Sequence, residues 1–161
     1  MKPFPIRTIL LPAVAVIAAM VGWQAVAEPN RTTFPENIDK LIHYTTVKRG
    51  NVTEHMLTTP EAIAAVKNGQ PIPNGTHFVL VDYRDGEVFR YFVMEKGEGW
   101  GAEYPEDRRT GDWQFQWFKP DRSINMAENT ARCQSCHQGR SDSEFLFTYD
   151  RIPSFDGTMI D

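Results

Sequence analysis

Residues 76–95, THFVLVDYRDGEVFRYFVME, decide the fold of this chain. Successive side chains fall into two alternating sets on both halves of the stretch, and Arg84-Asp85-Gly86-Glu87 provides turn residues between them. Period-two alternation on both sides of such a turn is typical of an antiparallel β-hairpin. The pattern therefore predicts two paired strands, over Thr76–Tyr83 and Val88–Glu95.

Strand signals also occur on both sides of this hairpin. Asn51–Thr58 is rich in β-branched residues, and aromatic side chains alternate along Trp113–Phe118. Phe145–Phe147 has the composition of a short last strand. Residues 97–112 are rich in glycine and charge, which predicts a long loop directly before Trp113–Phe118.

Helix signals are fewer. Thr59 is a typical N-cap, Pro60 suits a first helical position, and Gly69 suits the end of a helix. Apolar residues at helical spacing predict another short helix over Glu36–Thr45, and composition predicts one over Ser123–Arg132. The expected fold class is therefore α+β, with a predominantly antiparallel β-sheet and a few short helices.

Residues 1–27 have the organisation of a secretory signal peptide. Lys2 and Arg7 precede the apolar run Thr8–Gly22, and Ala25-Val26-Ala27 places small residues before a cleavage point. We expect cleavage near Ala27, a mature chain of residues 28–161 that forms a single domain, and a periplasmic location. No membrane-spanning segment is expected after cleavage, because the apolar run is too short to cross a bilayer comfortably.

Length and charge limit the classes of partner. A chain of 161 residues fits one domain with a processing segment, and a formal net charge of −4 argues against nucleic-acid binding. A small ligand or a redox partner protein is the expected partner.

The motif Cys133-Gln134-Ser135-Cys136-His137 carries the chemistry. Two cysteines at this spacing form thioether bonds to haem, and the histidine that follows them becomes a ligand of the iron. Export agrees with this interpretation, because c-type haem is attached outside the cytoplasm. We expect one covalent haem c, attached through Cys133 and Cys136, with iron bound by His137.

The two cysteines could also serve in three ways other than haem attachment. A thioredoxin-like redox pair requires a βαβ unit, which the pattern does not predict. A structural zinc site requires two more ligands, from among His43, His55 and His77. A disulfide between the two cysteines would close a very small loop and stabilise the fold little.

The sixth coordination position of the iron separates the functional alternatives. A methionine or a second histidine there is typical of an electron carrier, whereas an open position allows a gas or a substrate to bind. The candidates for a sixth ligand are Met56, Met94, Met126, Met159, His43, His55 and His77.

The chain resembles the cytochrome P460 family, which includes the beta-type cytochromes c-prime, over roughly Thr53 to Asp150. The matching features are the turn Pro73-Asn74-Gly75-Thr76 and the strand after it, the Gly111-Asp112-Trp113-Gln-Phe strand, the polar helix leading into Cys133–His137, and the Phe145–Thr148 strand.

The resemblance implies a mostly antiparallel β fold, often a homodimer, with haem on one face of the sheet and His137 on its proximal side. In the hydroxylamine-oxidising members a lysine after the Gly-Thr turn is cross-linked to the porphyrin, and the matching position here is Leu80. An arginine of those enzymes is also absent, and Glu54 occupies its place. The resemblance therefore argues against hydroxylamine oxidation.

Phe78 and Leu80 are the expected residues of an apolar cap above the haem if both face it. Such a cap offers no hydrogen bond to dioxygen but tolerates nitric oxide or carbon monoxide. The alternative is that both are ordinary core residues, because a register slip of one residue would turn them to the other face. Glu54 or Asp82 could instead bring a polar group to the cap.

We therefore expect a mono-haem c-type cytochrome that binds a diatomic gas at a largely five-coordinate iron, and nitric oxide is the gas expected first. An electron-transfer cytochrome with Met56 as the sixth ligand is the first alternative. An oxidoreductase acting on hydroxylamine or a related nitrogen compound is the second.

Overall fold

The computed structural model describes residues 30–158, which form one five-stranded antiparallel sheet with two α-helices and several short 3-10 helices. The strands are β1 (Ile42–Arg49), β2 (Val52–Thr58), β3 (His77–Arg84), β4 (Glu87–Lys96) and β5 (Trp113–Phe118). The α-helices are α1 (Pro60–Lys67) and α2 (Ala131–His137), and the 3-10 helices are Ile38–Lys40, Trp100–Glu103, Glu106–Arg108, Gln138–Ser143 and Tyr149–Arg151. The predicted signal peptide lies outside the described residues.

The order of the strands across the sheet is their order along the chain. This meander confirms the expected fold class, a β-rich α+β architecture. It contains no βαβ unit within residues 30–158, so the thioredoxin-like interpretation of the cysteines has no structural support there.

The β3–β4 hairpin forms as its sequence predicts. Asp85 and Gly86 occupy its two central positions with φ values of 51° and 86°. Positive φ at both positions is the backbone of a type I′ turn, whose twist matches that of paired strands. The register then pairs Leu80 with Phe92, which places both side chains on the same face of the sheet.

Helix α1 also begins and ends as predicted. The Thr59 hydroxyl accepts a hydrogen bond from the Ala62 amide at 3.2 Å, and Pro60 stands at the first helical position. Gly69, with φ of 64°, follows the last turn. The helix covers one face of the sheet with its buried Ile63 and Val66.

The predicted helix over Glu36–Thr45 is wrong. One 3-10 turn, Ile38–Lys40, is followed directly by β1. The run Thr45–Val47 is β-branched and pairs with β2, so pairing with the neighbouring strand overrides the helical spacing of the upstream apolar residues.

Two other predicted elements differ in the structure. Ser123–Arg132 forms turns until α2 starts at Ala131, because the side chains of Asn125 and Asn129 accept hydrogen bonds from backbone amides two residues further on. Phe145–Phe147 is not a strand: Phe145 has a φ of 62°, which is incompatible with an extended backbone.

Each face of the sheet carries its own apolar cluster. One cluster joins the sheet to α1 and to the segment after α2, and its buried members include Phe78, Met94, Trp113, Phe115 and Leu146. The other lies on the opposite face and includes Val79, Val81, Tyr91, Val93 and Phe118. The sheet is therefore covered on both faces, and the first cluster borders the cavity described below. None of the helices within residues 30–158 has the length and apolar character that a membrane crossing requires.

Gly101 marks the tightest approach between the loop after β4 and the start of β5. A Cβ at this position would lie 2.2 Å from the carbonyl oxygen of Gly111, and the Gly101 amide donates to Asp112 Oδ1 at 3.0 Å. We expect Gly101→Ala to lower the free energy of unfolding by about 1–3 kcal/mol, because backbone must move to admit the methyl group. Urea unfolding of the two proteins measures the difference.

Gly139→Ala is the matched control for that substitution, because a Cβ there meets nothing within 4 Å. Its unfolding midpoint should not fall. Equal losses from both variants would contradict the close approach at Gly101.

Candidate functional site

A cavity of about 440 Å³ lies between one face of the sheet and the segment formed by α2 and the residues after it. This volume is in the range of sites for small molecules and cofactors. Its wall includes Cys133, Cys136 and His137 of the predicted haem motif, together with the predicted cap residues Phe78 and Leu80. The structure therefore brings all five predicted site residues to one cavity.

Helix α2 positions the motif. Cys133 and Cys136 are three residues apart and so lie on neighbouring positions of one helical face. Both are free thiols, Cys133 half-buried and Cys136 exposed. They are therefore placed for attachment to one group in the cavity rather than joined in a disulfide.

The Cys133 thiol is held by β5. The Trp117 indole N–H points at Cys133 Sγ, with a nitrogen–sulfur distance of 3.3 Å. Burial raises the pKa of Cys133 above its ordinary value, and this hydrogen bond acts in the opposite direction. Trp117 thus orients the sulfur at the edge of the cavity.

His137 is oriented for binding through Nε2. Its Nδ1–H donates to the Phe145 carbonyl oxygen at 2.5 Å, and its ring packs against Phe115 and Phe147 with centroid distances of 4.7 and 4.9 Å. Burial lowers the pKa of His137, while the bond to Phe145 opposes that shift. A neutral imidazole whose Nδ1 is hydrogen-bonded to a carbonyl is the usual form of a metal-binding histidine.

The backbone of Phe145 makes this orientation possible. Glu144 and Phe145 have φ values of 52° and 62°, a conformation that costs free energy for residues other than glycine. The Phe145 amide donates to the backbone carbonyl oxygen of Arg140, and Lys96 Nζ lies 3.0 Å from Glu144 Oε2. A Cβ at Gly111 would lie 2.9 Å from the Phe145 ring. Sequence reasoning predicted a strand here and missed this positioning role.

Arg108 is a second positioning residue that sequence reasoning missed. Its Nη2 donates to Oε1 of Gln134, a fully buried residue of α2, at 2.8 Å. This bond ties the helix that carries both cysteines to the loop before β5. The Arg-Arg pair in that loop is the only sequence signal, and by itself it does not indicate a partner.

The sheet contributes an apolar row to the cavity wall. We use that name for Met56, Leu80, Phe92 and Trp117, which pair in that order across β2, β3, β4 and β5. Phe92 and Trp117 make an edge-to-face contact with a centroid distance of 4.2 Å. Leu80 therefore lies in the middle of an aliphatic and aromatic surface that faces the cavity.

Phe78 lies on the same face as Leu80 but has different neighbours. It is 5% exposed and makes ring contacts with Tyr44 and Trp113 at 6.1 and 5.8 Å. Its row continues through Met94 and Phe115 on the neighbouring strands. Phe78 is thus both a core residue and part of the cavity wall.

A charged row lies beside the apolar row. We use that name for Glu54, Asp82 and Arg90, which pair across β2, β3 and β4. Arg49 Nη2 lies 2.6 Å from both oxygens of the Glu54 carboxylate, and Arg90 Nε donates to Asp82 Oδ2 at 2.8 Å. Glu54 and Arg49 also line the cavity.

Most of the other candidate ligands lie elsewhere. None of the three other histidines lines the cavity. His43 stacks on His55 with a centroid distance of 4.2 Å. His77 Nε2 lies 3.2 Å from Glu95 Oε2. Within residues 30–158 no group of three or more His, Cys, Asp and Glu side chains is arranged to hold a metal, so the zinc interpretation lacks its ligands there.

The methionines differ from one another. Met56 and Met94 line the cavity, Met126 is 66% exposed, and Met159 lies outside the described residues. Met94 is buried in the core, which leaves Met56 as the candidate sixth ligand with access to the cavity. No lysine of the described chain lines the cavity.

The comparisons with known proteins agree with this geometry. A family model described as Cytochrome P460 matches residues 23–148, a range that includes every residue of the cavity wall named above. No curated protein matches the chain.

Proposed function

Because this chain belongs to the cytochrome P460 family, we propose that it is an exported c-type cytochrome that binds nitric oxide at a largely five-coordinate haem iron. Family membership makes it a haem cytochrome. The covalent attachment, the periplasmic location and the gas are parts of the proposal.

The donor set of the cavity fits a c-type haem. Cys133 and Cys136 would form the thioether bonds, and His137 would bind iron through Nε2, since its Nδ1 is already bonded to Phe145. The apolar row would lie against the porphyrin or its ligand. When bound, the haem supplies an iron with one axial position for a small ligand.

The apolar row is the observation that supports nitric oxide. Bound dioxygen gains from a hydrogen-bond donor beside it, whereas nitric oxide and carbon monoxide need little polar help. Two donors in the cavity wall already have partners, since the Trp117 indole N–H donates to Cys133 Sγ and the Arg49 guanidinium donates to the Glu54 carboxylate. We infer that the row favours these two gases over dioxygen.

Ferrous holoprotein should therefore change its absorption spectrum on addition of nitric oxide or carbon monoxide, because an open position allows each gas to reach iron. The measurement is an anaerobic titration followed in the Soret region. A low-spin spectrum in both oxidation states that neither gas alters would contradict the proposal.

An electron-transfer cytochrome is the second candidate, and the position of Met56 in the cavity wall favours it. Met56→Ala separates the two functions. If Met56 is a ligand, the variant gains gas binding that the natural protein lacks. If the sixth position of the iron is open, the natural protein and Met56→Ala both bind the gas. Met94→Ala, which removes the other methionine of the cavity wall, is the matched control.

Hydroxylamine oxidation is the third candidate. The cross-link that the resemblance associates with this activity requires a lysine, but Leu80 occupies the matching position in the apolar row. A peptide–haem mass that exceeds two thioether bonds would restore this alternative. The homodimer that the resemblance implies stays a prediction.

A further inference from the structure

Lys96, the last residue of β4, carries a largely buried ammonium group that lies outside the cavity wall. Its side chain is 15% exposed. Nζ donates at 3.0 Å to the Ile72 carbonyl oxygen and at 3.0 Å to Glu144 Oε2, and it lies 5.6 Å from the centre of the Trp113 ring. Removing an ammonium from water costs free energy unless its partners compensate. Lys96 therefore joins the loop after α1, strand β5 and the segment after α2 through one charged group.

The carboxylate that Lys96 binds belongs to a pair of residues with an unfavourable backbone conformation. Glu144 and Phe145 have φ values of 52° and 62°, which residues other than glycine adopt only where the surrounding contacts hold them. A backbone bond provides part of this hold, since the Phe145 amide donates to the Arg140 carbonyl oxygen at 2.8 Å. The ion pair with Lys96 adds a side-chain anchor for Glu144 at the end of β4.

This backbone conformation directs the Phe145 carbonyl oxygen at His137. The distance from His137 Nδ1 to that oxygen is 2.5 Å. Rotation about the N–Cα bond of Phe145 moves its carbonyl group, so a return to an ordinary negative φ would carry the oxygen away from the imidazole. A chain of contacts thus runs from the Lys96 ammonium to the Glu144 carboxylate, along the backbone to Phe145, and from its carbonyl to His137.

We propose that Lys96 is a positioning residue of the haem site, which acts through Glu144 and Phe145 to set how strongly His137 donates electrons to the iron. The inference deepens the proposed function and rests on it. A hydrogen bond from Nδ1–H to a carbonyl oxygen raises the basicity of an imidazole ligand and fixes the orientation of its ring. Lys96 does not line the cavity, so its main effect on the iron passes through this bond.

The proposed role and a simple charge effect predict reduction potentials that change in opposite directions. A stronger donor stabilises ferric iron, so weakening the bond between His137 and Phe145 raises the reduction potential of the haem. Loss of a positive charge alone would lower that potential, because a cation favours the ferrous state, which has one positive charge fewer. The iron–histidine stretching vibration gives a second sign, since its frequency falls when the hydrogen bond weakens and responds little to a remote charge.

The experiment compares the natural holoprotein with Lys96→Met, whose unbranched side chain keeps most of the apolar length of lysine. Spectroelectrochemical titration measures the reduction potential, and resonance Raman spectroscopy of the ferrous state measures the iron–histidine vibration. We expect a higher potential and a lower frequency in the variant. Lys119→Met removes the same charge from an exposed position after β5. This matched control should leave the frequency unchanged and should not raise the potential.

A second variant shows whether Lys96 acts through Glu144. Glu144→Ala removes the other half of the ion pair and should also lower the frequency. The double variant should show a shift no larger than that of Lys96→Met, because the two residues act in one chain of contacts. If Lys96→Met fails to fold, Glu144→Ala and Lys96→Arg test the same point. The first should lower the frequency, and the second, which retains a charged donor for Glu144, should preserve it.

Three results would overturn the inference. They are a natural frequency in Lys96→Met, a potential that falls as charge loss alone predicts, and shifts of the two single variants that add in the double variant. Each of them leaves gas binding intact. A natural holoprotein that binds neither nitric oxide nor carbon monoxide would instead overturn the proposed function, and the potentials would still test Lys96, because they require no open position on the iron.

Discussion

Replacement of both Cys133 and Cys136 with alanine is expected to remove all covalently bound haem from the protein. Both cysteines lie in the cavity wall on one face of α2, and neither is joined to the other. With two thiols absent, no thioether bond can form through this motif. The expected change is from one haem per chain to none, measured as haem absorbance that stays with the denatured polypeptide after solvent extraction.

Single variants and a control make that measurement specific. The single variant Cys136→Ser should retain at most one thioether bond. The control is Ser135→Ala, at an exposed position between the two cysteines, and it should retain both thioether bonds. Normal amounts of covalent haem in the double variant would show that the attachment is elsewhere.

Truncation of Trp113 is expected to cause the largest loss of stability among single substitutions in the sheet. The side chain is 1% exposed, makes an edge contact with Phe78 at 5.8 Å, and lies under the Lys96 ammonium at 5.6 Å. We expect Trp113→Ala to lower the free energy of unfolding by about 3–5 kcal/mol, because it leaves a large cavity in the core. Its indole N–H has no partner in the structure, so the loss reflects packing.

Phe89→Ala is the comparison for that experiment. Phe89 is 45% exposed, and its main contact is the Arg84 guanidinium at 3.8 Å. The expected cost is below about 1 kcal/mol. Urea unfolding of both variants in the haem-containing state measures the difference, and equal losses would contradict the placement of Trp113 in the core.

Local sequence patterns were sufficient for the central elements of the fold. The β3–β4 turn and the cap of α1 each depend on residues close together in the chain, and both formed as predicted. The helix predicted over Glu36–Thr45 was wrong because the last residues of this range form β1, and β1 is stabilised by pairing with β2. The strand predicted over Phe145–Phe147 was wrong because the conformation of Phe145 is set by contacts outside this segment. Its amide donates to the Arg140 carbonyl oxygen, and its ring packs against Gly111.

The candidate site divides in the same way. The Cys–His motif is contiguous, so its chemistry could be predicted from spacing alone. The neighbours of Leu80 could not, because they depend on the register of three other strands. The bond from His137 to Phe145 also lacked any sequence signal, since its acceptor is a backbone carbonyl in an irregular segment.

The most direct test of the whole account is a crystal structure of the ferrous holoprotein with nitric oxide bound. We predict one haem in the cavity, joined to the sulfur atoms of Cys133 and Cys136, with nitric oxide on the iron and the apolar row of the sheet against the haem or its ligand. The proximal side should show His137 Nε2 facing the iron and Nδ1 bonded to Phe145. A disulfide between the two cysteines, a haem outside this cavity, or Met56 on the iron would contradict the account.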